Sequence, residues 1–163
     1  MPTTRHALSA ARMGADAVIL IGAEATGHPG TELMGRFVQT AAALRALPVA
    51  VIMGGGIGHG SQILTALALG AAGGLVGTRM MAARESVLHP GLKQRVIDSD
   101  GSDTRIIHRI FNHHRRVMMN ATVGRILERE EAGGSEFEAY RPLVSGPAAR
   151  EAQNGLRHLG GPV

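Results

Sequence analysis

The stretch over residues 48–79, PVAVIMGGGIGHGSQILTALALGAAGGLVGTR, decides how the rest of the chain is read. Its opening run, residues 49–53, is apolar on both faces and too short for a helix. That pattern predicts a strand inside a parallel sheet covered on both sides. Gly54, Gly55 and Gly56 follow at once, and the chain then enters a helix near Ser61. Ile63, Leu64, Leu67 and Ala68 share one face of that helix, and Gly70 is placed to end it. A second short strand over residues 74–76 stops at Gly77-Thr78-Arg79. The unit is βαβ, with a glycine-rich loop at the carboxyl end of each strand.

Two roles compete for those glycines. Parallel sheets bind ligands just beyond the carboxyl ends of their strands, where a bare backbone lets N–H groups approach phosphate oxygens. Glycine equally serves tight turns and close helix–sheet packing. One such loop favours the structural role; two on consecutive strands bring the two roles level.

Working back towards the amino terminus, residues 3–13 read as a helix with Thr4 as its N-cap, Gly14 past its end, and Ala7, Leu8 and Ala11 on a shared face. Residues 16–21, DAVILI, are then a buried strand ending at Gly22. A further helix over residues 36–47 places Phe37, Ala41 and Leu44 on one side and is stopped by Pro48. MGADAVILIG echoes LGAAGGLVG further on, as expected of repeated β/α units. The order αβαβαβ calls for a parallel sheet with right-handed crossovers, an α/β fold.

Composition narrows the class. The chain has 163 residues, 44% of them hydrophobic, with three Phe, one Tyr and no Trp, so its core is built from aliphatic side chains and Met. It has no cysteine, which removes disulfide and thiolate chemistry. No apolar run approaches the ~20 residues of a membrane helix, and the chain reads as a soluble cytoplasmic protein. The net charge of +4 is carried mainly by arginines of the second half, without the aromatic stacking set of a nucleic-acid binder. It suits anionic cofactors or substrates instead.

The run GGGIGHG…ALALGA…GLVGTRMMAARES resembles the nitronate monooxygenase (2-nitropropane dioxygenase) family of FMN-dependent TIM-barrel enzymes. The resemblance implies that Gly55, Gly56, Gly77 and Thr78 hold the FMN phosphate. Residues 22–30, GAEATGHPG, resemble the family motif that lies against the flavin ring. His28 matches the active-site histidine, and Thr26 and Gly27 match backbone contacts to the cofactor, with Thr26 standing where Ala or Gly is usual. A lone histidine is more often an ordinary hydrogen-bonded residue, but a strand's carboxyl end is where barrel chemistry sits. Histidine there suits holding an anion or moving a proton. For Glu24 two roles stand, a base or a structural hydrogen-bond acceptor, and the second is the expectation.

The family pattern continues through residues 80–86, His89 and Lys93, then Thr104-Arg105, Asn112, Arg116 and Asn120. A helix is expected from about Asn112 to Glu131. His108, His113 and His114 have spacings that do not share a helix face, so no metal is expected. Residues 137–143 with Ser145-Gly146 extend the likeness, which fades in the tail.

The implied architecture is a partial (β/α)8 TIM barrel: strands six to eight over residues 1–86, a helical substrate-side subdomain over 87–146, and a tail over 147–163. The implied activity is oxidation of alkyl nitronates with flavin and oxygen. NAD(P)H:quinone reduction is the alternative, favoured by the GHPG segment, and a non-catalytic half-barrel is a third reading. The first five barrel strands lie outside the matched segment. Self-association, or pairing with an N-terminal half-barrel, is therefore expected alongside the small-molecule substrate.

Overall fold

A computed structural model describes residues 1–144, and the expectations for Ser145, Gly146 and the tail lie outside the described residues. The chain forms two compact units, Met1–Arg79 and a second beginning at Met80.

The first unit is an α/β layer. Helix α1, Thr4–Arg12, is followed by β1, Ala17–Ile21, then α2, Arg36–Ala46, β2, Ala50–Gly54, α3, Gly60–Leu69, and β3, Gly73–Leu75. The strands pair in parallel in the order β1-β2-β3. Val18 lies opposite Val51 and Leu20 opposite Met53, while Gly54 meets Leu75. Each helix starts and stops where its caps dictate. Thr3, one residue before the expected cap, accepts from the N–H of His6. Gly70 ends α3 in the left-handed region at φ 102°, which a residue with a Cβ rarely adopts.

Alternation along the strands shows which face the helices cover. Val18, Leu20 and Val51 are buried with Ala7 and Ala10 of α1 and Ala43 of α2. Met53 is buried with Ala66 of α3, Ile57 and Ala71. The alternate residues Ile19, Ile21 and Ile52 are only half-buried, so β2 does not have the two equally covered faces expected of it. A purely apolar run carries no mark of which face is the dry one. On the free edge of β1, the Met1 amine donates to the Ile19 carbonyl at 2.7 Å and its carbonyl accepts from Ile21 at 3.0 Å, a parallel-bridge pattern.

Two helix faces differ from expectation. In α2 the buried residues are Gln39, Thr40 and Ala43, and Phe37 is exposed, its ring set against the Arg36 guanidinium with Cζ 5.6 Å from the centroid. In α3 Ala66 is buried while Leu64 and Leu67 are exposed. Both helices are apolar around most of their circumference, so periodicity alone does not choose the inner side.

The second unit follows a short helical turn, α4, Thr78–Met81, and contains α5, Pro90–Asp98, an antiparallel pair β4, Thr104–Ile107, and β5, Arg115–Met118, then α6, Ala121–Glu131, and α7, Phe137–Val144. The expected helix from Asn112 is thus a strand followed by a shorter helix. Asn112 sits at φ 51°, which breaks a right-handed helix, and Thr104 to Ile107 pair with Met118 to Arg115 across the ladder. Helix α6 opens only at Asn120, whose side chain accepts from the Val123 N–H at 2.9 Å. Ile107, Val123, Ile126 and Tyr140 form the core of this unit. The Tyr140 ring meets Phe111 edge to face at 5.1 Å, and its hydroxyl donates to the Gly134 carbonyl at 2.7 Å. No helix among the described residues is long and apolar enough to cross a membrane.

Candidate functional site

The three parallel strands end on the same side of the sheet, so the loops after β1, β2 and β3 converge there. How closely they converge is set by glycine. Gly55, at φ 102°, packs so tightly that a Cβ on it would lie 3.2 Å from the N atoms of Ala25 and Gly22 and from the Gly22 carbonyl oxygen. Gly56, at φ 63°, has its own Cβ position 2.7 Å from Nη1 of Arg36 and 3.1 Å from Cβ of Glu24. The loop after β1 and the loop after β2 are therefore in backbone contact, and both glycines have packing reasons to be glycine.

Glu24 and Arg36 lock this contact. The α2 N-cap, Gly35, offers no side chain, and the carboxylate of Glu24, twelve residues before Arg36, takes that role. Its oxygens accept from the Arg36 backbone N–H at 3.0 and 3.4 Å, which satisfies an opening donor of α2 and sets negative charge at the helix start. Glu24 is thereby the structural acceptor the sequence suggested. The Arg36 side chain then reaches across, and Nη1 donates to the Gly55 carbonyl at 2.8 Å.

A second link joins the outer loops. Thr26, after β1, and Thr78, after β3, share a hydrogen bond between their hydroxyls at 3.2 Å, although their strands are separated by β2. Beside Thr78, Gly77 has nothing within 4 Å of its Cβ position, and its backbone does not need glycine's left-handed freedom. Packing gives no reason for glycine at that position. Beside Thr26, Gly27 is also open and sits at φ 85°, a turn that suits glycine. Among the described residues, no protein acceptor faces the N–H groups of Gly56 or Gly77. These are donors that an anion would satisfy.

Helix α3 contributes less than its position after a glycine loop suggests. His59 caps it through Nδ1, which lies 3.2 Å from the Ser61 N–H, and Gln62 Oε1 accepts from Gly58 and His59 at 2.7 and 2.9 Å. His59 meets the Ser61 and Gln62 N–H groups, so an anion here finds its donors mainly in the bare loops rather than at the start of α3.

Of the residues singled out in the sequence, Thr26 and Thr78 are in contact, and Gly55 and Gly56 form the floor beneath the β1 loop. Gly27 and Gly77 line open space, and His28 is exposed on the same loop as Thr26. Arg36 was not foreseen. Nothing in its spacing marks it, because its partners Glu24 and Gly55 lie 12 and 19 residues away.

Comparison with known proteins gives this arrangement a lineage. Residues 1–148 match the nitronate monooxygenase family. A probable nitronate monooxygenase of Bacillus subtilis is 34% identical over 111 residues, covering 64% of this chain and 32% of that protein. A (3aS,4S,5R,7aS)-5-hydroxy-7a-methyl-1-oxo-octahydro-1H-indene-4-carboxyl-CoA dehydrogenase of Rhodococcus jostii is 32% identical over 114 residues, covering 70% of this chain and 32% of that protein. Among solved structures, FabK of Thermotoga maritima superposes with a TM-score of 0.84 at 31% identity, covering 98% of this chain and 50% of that one. The chain spans about a third of the length of these curated relatives and half of that structure. By the family match over residues 1–148, and by the glycine loops that the match includes, the chain belongs to the nitronate monooxygenase family.

Proposed function

We propose that this chain carries the phosphate-side half of an FMN site and works in a flavin-dependent oxidoreductase that oxidises alkyl nitronates. The observation that carries the reading is the pairing of Thr26 with Thr78 at 3.2 Å around an open Gly77, beside a turn whose Gly56 N–H has no protein acceptor among the described residues. The residues present fit the group. The N–H groups of Gly56 and Gly77, with Thr78, would hold the phosphate, and the room at Gly27 would admit the ring. When bound, the flavin supplies the redox chemistry, accepting electrons from the nitronate and delivering them to oxygen. The chain's own part is to bind, orient and hold charge. His28, on the loop after β1, would hold the nitronate anion by hydrogen bonding or move a proton near neutral pH. The segment GHPG at residues 27–30 favours a second reading, NAD(P)H:quinone reduction at the same site.

The architecture proposed with this function is strands six to eight of a (β/α)8 barrel. In support, β1-β2-β3 is a parallel three-stranded sheet whose helices pack on one face, leaving Ile19, Ile21 and Ile52 half-buried on the other. Covering such a face would be favourable at about 25 cal/mol per Å² of apolar surface, so self-association or an N-terminal half-barrel partner belongs to the proposal.

The test is reconstitution. Purified chain titrated with FMN should show a shifted flavin absorbance spectrum, and the complex, alone or with the first-half polypeptide, should consume oxygen when given an alkyl nitronate. A spectrum unchanged at all FMN concentrations would reject the flavin site. Turnover with quinone and NAD(P)H but not with nitronate would select the second reading.

A further inference from the structure

Arg36 places a cation almost inside the protein, against the turn that carries one of the open donors. Its side chain is 14% exposed. Nη1 donates to the Gly55 carbonyl at 2.8 Å, the Phe37 ring backs the guanidinium, and Nε is buried with no acceptor among the described residues. The Glu24 carboxylate stands 3.9 Å from Nη1, beyond a hydrogen bond, and its oxygens accept instead from the backbone of Arg36. The guanidinium thus forms an ion pair with Glu24 that is longer than a hydrogen bond, and its Nε donor stays unmet among the described residues. A partly buried charge acts over several ångströms, because little water screens it. Gly56 sits on this group, since a Cβ there would come within 2.7 Å of Nη1.

We propose that Arg36 is the positioning residue and electrostatic backing of the Gly55–Gly56 turn. It would give the site its preference for a phosphomonoester dianion over the same ligand lacking the phosphate. This rests on the phosphate site proposed above. The guanidinium acts through the backbone: by holding the Gly55 carbonyl it sets where the Gly56 N–H points, and its charge favours an anion on that N–H. A role confined to packing would weaken every ligand of the site alike, whereas this role is felt by the phosphate alone.

The experiment compares FMN with riboflavin, which share the ring and differ in the phosphate. Binding of each to the full chain is followed by flavin fluorescence, with the melting temperature of every variant as a control. A parallel arm measures the rise in melting temperature that inorganic phosphate gives without flavin. The parent chain should prefer FMN. Arg36→Met should lower the FMN-to-riboflavin affinity ratio by about tenfold or more, as expected for removing a charged partner from an anion, and should abolish the phosphate-induced shift. Arg36→Lys keeps the charge without the planar fork and should fall between the two. If Arg36→Met does not fold, Arg36→Lys carries the test through its reduced ratio. Equal weakening of FMN and riboflavin, or a ratio unchanged in the variants, overturns the inference and leaves the flavin site standing. Flavin binding by the parent chain without preference for FMN also overturns it. Failure of the parent chain to bind either flavin or phosphate overturns this inference and the proposed function together.

Discussion

Gly55 and Gly77 each lie within two residues of the end of adjacent strands, yet they should respond to substitution in opposite ways. At Gly55, alanine would have to adopt φ 102°, at a cost of about 1–2 kcal/mol for the left-handed backbone. Its methyl would also press on three backbone atoms at 3.2 Å, none of them the end of a flexible side chain. Crowding of that kind adds about 1–3 kcal/mol. A total of about 2–5 kcal/mol corresponds to a fall in melting temperature of about 10 °C or more for a unit of this size. At Gly77 there is nothing within 4 Å and no left-handed φ, so Gly77→Leu should change stability by no more than about 0.5 kcal/mol. Its effect should fall on the ligand. Displacing a phosphate from two charge-assisted N–H bonds, at about 1.5–3 kcal/mol each, amounts to a loss of FMN affinity of about a hundredfold or more. Thermal melting followed by circular dichroism and FMN titration, run on both variants, decide the matter. If Gly77→Leu binds FMN as the parent does, Gly77 is not part of a phosphate site. A Gly55→Ala protein that melts with the parent would show that the β1 and β2 loops are not held as closely as described.

Other perturbations probe separate parts of the site and the fold. His28→Ala should reduce turnover with nitronate or quinone while leaving FMN binding measurable, and unchanged steady-state rates would make His28 a bystander. Glu24→Gln weakens the acceptor for the Arg36 N–H and should lower the stability of the fold by about 1 kcal/mol in chemical denaturation; no change in the midpoint would remove Glu24 from that role. Burial pushes the Tyr140 phenol above its usual 10.0, so the folded state favours the neutral form. Its contribution is fully present below that value and is lost as pH rises through the raised one, so a melting temperature of the second unit that holds steady well above pH 10 would contradict this.

Most of the αβαβαβ order was legible in the sequence because each element carries its own punctuation. Gly14 and Gly70 follow the helices they end, and Pro48 stands just before β2. The glycine clusters likewise mark the loops at the strand ends. These signals act between residues a few positions apart, and such short-range preferences survive in any context. What lay beyond reach depends on which distant segments meet. The residues 115–118 suit a helix by composition, and pairing of Met118 with Thr104, fourteen positions away, makes them a strand. Phe37 has the hydrophobicity of a core residue, yet packing gives the inner side of α2 to Thr40 and Ala43. The difference between Gly55 and Gly77 shows the same division at the site. The chain spells both as glycine after a strand, and only the tertiary structure sets backbone against one and open space against the other. Arg36 completes the case, since its charge acquires a role only where Glu24 and the Gly55 carbonyl are brought to it. Local sequence encodes the backbone's preferences, whereas through-space contact is a property of the assembled fold.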